Sequence, residues 1–447
     1  MLKAWANVFY GWSEKLVSLR AAMKEQIAAN GPGEKPSDDV ARSRSAGSGA
    51  RFVVSGAYVP DPESDLSSPA RIRRLRRFGL VSYSEVPGRA GGGHISIGRT
   101  AIGTVDSRAE RGREPVRLGI QGTRPRLIMH IKAYAIREKG GTAEPLLYER
   151  TLGSRDVLVR VTHCSLARGD IQYIDDDWGD TRFPLVPGHE IVGLIEEAGS
   201  EVADLQTGDR VGIGYQQEAC FECSSCRQGL EQLCPNQKVI AVDRYGGLAE
   251  HIVVDGRFAF RLPPRLESAP SAPLLSSGLT VYAGILRGGL AAGSRVAVLG
   301  AGGLGHLAIQ FLREMGHSVT AFSHSPAKRH LIERLGGAFA DSSDPEGMTE
   351  RQGEFDFILS TLNVSYDLGP YVRMLKPQGQ LCLVASPLTQ LSLSGGLLNN
   401  ARRSIYGNYI GSRADTMQML EFSAKHGIEA IVDVMPLARP GAVTIGI

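Results

Sequence analysis

The chain contains no run of about eighteen uninterrupted apolar residues, so nothing in it reads as a membrane-spanning helix. Its opening segment carries Glu14 and Glu25 and has no apolar core followed by a small-residue cleavage site, which argues against a secretory signal. Aromatic residues make up 6% of 447 positions, and cysteines number only six. Four of those six crowd into "CFECSSCRQGLEQLC", residues 220–234. That crowding disfavours a disulfide framework and suits a metal site in a reducing compartment, so a cytoplasmic location is expected. Neither sign of charge dominates, with 50 Lys and Arg against 47 Asp and Glu.

What is present divides unevenly. Residues 1–128 hold 21 Lys and Arg against 12 Asp and Glu, and residues 129–447 hold 29 against 35. The basic leader opens with Leu2, Trp5, Phe9, Trp12, Leu16, Leu19 and Met23, a spacing of threes and fours that makes one helix face. Beyond Gly31 it turns to Ser, Gly, Pro and Arg without a sustained period. The run "RIRRLRRFGL" could serve as a patch for nucleic acid or acidic lipid. Its setting reads instead as a disordered, solvated segment, so no nucleic-acid partner and no membrane are expected. Residues 1–128 are therefore expected to be an extension dispensable to the body.

With 42% apolar and 22% charged residues, the chain as a whole has the composition of a globular protein. From 129 to 273, short runs such as "DVLVRVTHC", "EIVGLIEEA" and "LAEHIVV" are punctuated by Gly, Pro and Asp, which predicts a β-rich domain. From 274 to 404 the strands "RVAVL", "HSVTAFS", "FDFILST" and "GQLCLVAS" alternate with helical patterns. That alternation predicts an α/β, doubly wound parallel sheet. In "GAGGLG" a strand runs into Gly300, Gly302, Gly303, Leu304 and Gly305, and a helix follows. Amides at that helix start can cradle a pyrophosphate. At the end of the next strand, where an acid would select NAD, stand Ser323, Ser325 and Lys328. Hydroxyls and a cation suit a 2′-phosphate, so NADP(H) is the expected cofactor. Thr280 and Thr361 are counted with the cofactor contacts.

Four thiolates at C-x2-C-x2-C-x7-C, Cys220, Cys223, Cys226 and Cys234, can close a tetrahedral shell with no open position. One structural zinc is expected there.

Together these motifs resemble the zinc-type medium-chain dehydrogenases, in particular the cinnamyl alcohol dehydrogenase-like branch. The resemblance rests on "GHEIVG" at 188–193, "GDRVGIG" at 208–214, the cysteine cluster, "YGGLAEHIVV" at 245–254 and "GAGGLGHLAIQF" at 300–311. It implies a GroES-like catalytic domain, a Rossmann domain, and a catalytic zinc held by two cysteines and the histidine of G-H-E. Here the first ligand segment reads "CSLARGD", residues 164–170, and Ala167 stands at the ligand cysteine. Arg168 and Gly169 replace a histidine and a relay hydroxyl, Ser276 replaces the other cysteine, and Asp170, His189 and Glu190 remain. A register shift of Cys164 would be the route to a rescued site.

The resemblance also implies a C-terminal helix and strand after "GIEAIVDVMPL", which residues 405–447, the return segment to the catalytic domain, do not show. An exposed sheet edge would follow. The activity implied is NADPH-dependent reduction of an aldehyde or conjugated carbonyl compound without catalytic zinc, with Asp170, His189, Glu190 and Ser276 as the candidate catalytic residues. The alternatives are an ordinary zinc alcohol dehydrogenase and an inert NADP-binding relative. Members of the family are commonly oligomers, so a homodimer is a further expectation.

Overall fold

The computed structural model describes residues 51–55 and 128–436. Most of the leader and the last residues lie outside these, including the expected N-terminal helix and "RIRRLRRFGL".

The β-rich part is built on one large sheet. In chain order it contains β1 (Arg51–Ser55), β4 (Asp156–Leu166), β5 (Glu190–Ala198), β6 (Arg210–Ile213), β9 (His251–Asp255), β10 (Ala259–Arg261) and β17 (Val432–Pro436). The strand order is β10-β6-β5-β4-β1-β17, and β9 also pairs with β4. A separate hairpin joins β2 (Ile128–Ile136) and β3 (Ala143–Thr151), and β7 (Gln216–Glu218) pairs with β8 (Lys238–Val239). Val157, Val159, Val161, Ile191, Val192 and Ile213 bury their side chains in the core of this part. Their β-branched stems suit a pleated surface.

The second part is a six-stranded sheet in the order β13-β12-β11-β14-β15-β16. Its strands are β11 (Arg295–Leu299), β12 (Ser318–Ser323), β13 (Ala338–Asp341), β14 (Phe355–Ser360), β15 (Leu375–Leu383) and β16 (Ser404–Gly407), every pair parallel. Val296, Ala297, Val298 and Leu299 are all 0% exposed, as befits a strand covered on both faces. The sheet order reverses between β12-β11 and β14-β15, which opens a crevice at the carboxyl ends of the strands.

Two expectations need correction. β16 belongs to the parallel sheet, so that domain runs past residue 404 to Gly407. The leader is not wholly separate from the body either. β1 pairs in parallel with β4 and antiparallel with β17, so the expected open edge is covered. The pattern was missed because a five-residue strand has too few residues to show a period against a Gly, Ser and Arg background.

The turn between β11 and the helix α4 (Gly303–Glu314) shows why glycine is required there. Gly300 sits at φ +89°, and a Cβ at Gly305 would lie 1.9 Å from the Gly300 carbonyl oxygen. No neighbour can yield that much, because the atom struck is backbone. Gly305→Ala should therefore cost about 1–3 kcal/mol of stability by overpacking, read as a lower Tm, and nucleotide affinity should fall with it.

Candidate functional site

β4 ends at Leu166, and Ala167 is the extended residue that caps the short helix α1 (Arg168–Ile174). Asp170, in the first turn, returns its carboxylate to that cap: Oδ2 accepts the Ala167 N–H at 2.8 Å. Oδ1 accepts the Gly188 N–H at 2.7 Å and lies 3.0 Å from His189 Nδ1. With Asp170 acting as acceptor, the imidazole donates from Nδ1. That leaves Nε2 as the working nitrogen. A Cβ at Gly169 would stand 3.6 Å from it and 3.3 Å from Cε1, so the glycine keeps that flank of the ring clear.

Burial opposes a charge on His189, but Asp170 and then Glu190 outweigh it and raise its pKa to about 9. Glu190 is 0% exposed, and burial raises its own pKa against the pull of His189 and Ser277. Its Oε1 accepts both the N–H of Ser277 at 2.9 Å and the hydroxyl at 2.7 Å. Ser277 begins the helix α3 (Ser277–Arg287), so Glu190 ties β5 to the helix that leads into the second part. Ser276 stood as the candidate, yet its neighbour makes the contact. Ser276 occupies the N-cap position without a side-chain capping bond and gives its carbonyl to the Thr280 N–H.

Around His189 these donors do not assemble a metal shell. The Asp170 and Glu190 oxygens that have partners are directed to His189, Ser277 and backbone amides. Cys164 offers no rescue: its sulfur packs beneath Gly188 and Gly247, at 2.3 and 2.9 Å from where their Cβ atoms would be. Ala167 has no donor atom. Residues 167 and 276 thus supply no third strong ligand, and the site does not fit a catalytic zinc.

The four-cysteine lobe is the opposite case. Among the described residues it is the one cluster of at least three His, Cys, Asp or Glu placed to share a cation, with all four sulfurs within 4.8 Å of one another. Cys220 Sγ lies 3.5 Å from Cys234 Sγ and 3.9 Å from Cys226 Sγ. These are close to the edge of about 3.8 Å that a tetrahedron of 2.3 Å zinc–sulfur bonds requires. The amides of Glu222 and Cys223 aim at Cys220 Sγ and draw its pKa down to about 6. The amides of Cys226 and Cys220 aim at Cys223 and Cys234. Zinc fits this donor set.

An aromatic file leads from the His189 ring to the surface. Tyr215 stands edge-on to it at 6.0 Å between centroids, and the Tyr215 and Tyr173 hydroxyls are 2.6 Å apart. Tyr409 and Trp178 close the file, edge-on to Tyr215 at 5.9 Å and to Tyr173 at 4.7 Å, and both are exposed. The residues are far apart in sequence, and no periodic signal joins them. A cavity of about 950 Å³ opens beside Tyr409, lined by Val384, Ala385 and Asn408 at the carboxyl ends of β15 and β16.

The glycine turn has Thr361 and Lys328 as side-chain neighbours. Gly302 caps α4, with Gly303 and Leu304 as its first residues. Thr361 Oγ1 donates to the Leu299 carbonyl at 2.8 Å, and Lys328 Nζ donates to the Ala301 carbonyl at 3.2 Å, both at the turn. Ser323 ends β12 and accepts the Ser325 N–H at 3.2 Å through its hydroxyl oxygen. Thr280 lies in α3, its carbonyl accepting from Asn408 Nδ2 at 3.3 Å.

The alcohol dehydrogenase GroES-like domain matches residues 153–264, and the zinc-binding dehydrogenase domain matches residues 303–425. An aldehyde reductase of Synechocystis is 37% identical over 305 residues, 68% of this chain and 91% of the relative. The chain belongs to the zinc-binding alcohol dehydrogenase family. A probable cinnamyl alcohol dehydrogenase of rice is 38% identical over 312 residues, 67% of this chain and 85% of that protein. Among solved structures, a cinnamyl alcohol dehydrogenase of Sorghum bicolor superposes with a TM-score of 0.66 at 34% identity, covering 68% of this chain and 90% of its own. The CAD of Helicobacter pylori, complexed with NADP(H), gives 0.64 at 30% identity, with coverages of 68% and 90%. Within this alcohol dehydrogenase family, then, the GroES-like and Rossmann parts expected from the sequence are both present.

Two outcomes follow from the geometry. Purified protein should carry about one zinc per chain by elemental measurement, and Cys223→Ser should release it and lower the Tm, since structural zinc contributes directly to folding. Asp170→Asn removes the group that holds the His189 charge, so burial should then prevail. Its pKa, followed by ring-proton NMR, should fall from about 9 to below the ordinary 6.5. In the unmodified protein the raised value stabilises the fold fully below about pH 6.5, and that contribution fades as the pH climbs through 9.

Proposed function

We propose that the protein is an NADPH-dependent reductase of aldehydes or conjugated carbonyl compounds that holds one structural zinc and works without a catalytic one. The observation that carries this reading is the donor set around His189: a buried Asp–His–Glu row with alanine and serine at the remaining ligand positions. The aldehyde reductase and cinnamyl alcohol dehydrogenase relatives, and the NADP(H)-bound neighbour, support the reaction class and the cofactor.

When bound, NADPH would supply a hydride to the carbonyl carbon or to the far carbon of a conjugated system. The Gly300–Gly305 turn offers amides for its pyrophosphate, Ser323, Ser325 and Lys328 offer donors for its 2′-phosphate, and Thr280 and Thr361 flank the remainder. His189, charged and held at Nδ1 by Asp170, donates the Nε2 proton to the oxygen left anionic by hydride addition. Asp170 keeps the tautomer and the charge. Glu190 adds a second negative charge and fixes β5 against α3. Tyr215, Tyr409 and Trp178 present ring edges and faces to a flat, conjugated substrate.

A metal-free site polarises a carbonyl less, and a deficit of several kcal/mol corresponds to roughly a hundred- to a thousandfold in rate. Conjugated acceptors, which spread the developing charge, should therefore be reduced faster than simple aldehydes. The deciding assay compares enones, cinnamaldehyde-like aldehydes and unconjugated aldehydes with NADPH and with NADH, with and without a chelator too weak to strip the cysteine lobe. Preference for NADPH, for conjugation, and indifference to the chelator are expected, with kcat falling as the pH rises through about 9. Fast, chelator-sensitive turnover of an unconjugated aldehyde would restore the metal-dependent alcohol dehydrogenase. No turnover of any substrate, with NADPH still bound, would point to the inert relative.

A further inference from the structure

The large sheet contains a strand that the chain does not reach by local connection. β1 lies between β4 and β17, running from Arg51 opposite His163 to Val54 opposite Leu166 in parallel. Against β17 it runs antiparallel, from Arg51 opposite Pro436 to Ser55 opposite Val432. On one side β4 pairs with β5 from Val157 through Ser165, and on the other with β9, which stops at Arg160. The stretch His163–Leu166 therefore has β1 as its partner where β9 has ended. Among the described residues β17 has no strand partner except β1.

Position makes this pairing consequential. His163–Leu166 is the last part of β4, and the next residue, Ala167, gives its N–H to Asp170. Whatever holds the end of β4 also holds the start of the segment that orients His189. A strand edge left open at this point would present unpaired N–H and C=O groups, which other chains readily cover.

We propose that the edge formed by His163–Leu166 and β17 is a strand-accepting site, and that residues 51–55 are its resident strand, bound by backbone pairing rather than by chain connection. Recognition is then of the kind by which an extended peptide adds to a sheet: main-chain hydrogen bonds give affinity, and register follows from the flanking strands. Because β1 has a partner on each side, each of its N–H groups faces a neighbouring strand. A proline within it removes one of those donors.

The test uses the full chain with a unique protease site placed among residues 60–125, cut after purification. The N-terminal fragment should stay with the body through native size exclusion and separate only in denaturant. Introducing Val53→Pro into the same cuttable chain should release the fragment on cleavage, whereas Ser45→Pro, outside residues 51–55, should leave it bound. In the uncut chain Val53→Pro should speed amide exchange at His163–Leu166 while Val296–Leu299 of the parallel sheet stay protected, which separates a local loss from global unfolding. Release of the unmodified fragment on cutting, or unchanged exchange at 163–166 in the proline variant, would overturn the proposal. These readouts do not involve turnover, so they stand or fall separately from the proposed reaction.

Discussion

A single carboxylate organises the site. Asp170 is 2% exposed and receives three donors, from the Ala167 amide, the Gly188 amide and the His189 ring. The first closes the turn from β4 into α1, the second holds the turn before β5, and the third sets the orientation and charge of the imidazole. Removing one partner of such a buried charged pair typically costs about 3–5 kcal/mol, because the other is left uncompensated. The backbone around it obeys the same constraint. Gly188 adopts φ +94°, and any side chain there would meet the Cys164 sulfur. The turn that brings Gly188 to Asp170 thus also explains why that cysteine is locked into packing.

Alternation along a strand start then divides labour between two consecutive residues. His189 looks toward Tyr215 and the aromatic file, while Glu190 binds Ser277 at the head of α3. One residue faces the aromatic file and the other joins the two parts of the body. Charge follows the same layout: two acids flank one imidazole, so protonation of the ring is favoured even though burial alone would oppose it.

The cysteine lobe is connected to the body by a different interaction. Phe221 adopts φ +58° and lies under the Arg257 guanidinium at 3.8 Å, with that of Arg413 at 5.4 Å. Arg413 also donates to the Arg257 carbonyl at 2.7 Å and stands 3.7 Å from the buried Glu231. It begins the helix α5 (Arg413–His426), so the lobe is fastened to the segment that carries the chain back from the parallel sheet to β17. A metal-folded loop with too little apolar surface for its own core gains anchorage from cation–π and ionic contacts at its base.

What could be read from the residues alone was whatever depends on near neighbours. Cysteine spacing defines a coordination shell because all four ligands lie within one short loop, and the glycine turn declares itself because strand, turn and helix are contiguous. That Ala167 and Ser276 stand at ligand positions is what the resemblance to a family implies, and no spacing within this chain says it. What tertiary structure decided was every pairing across the chain. Ser277 rather than Ser276 meets Glu190 because a helix start rotates successive residues to different directions. Tyr173, Tyr215 and Tyr409 form one file only once the sheets are folded, since nothing periodic links them. Residues 51–55 became a strand by finding edges at β4 and β17. Five residues carry little intrinsic preference, and their conformation is set by the partners that a folded sheet offers.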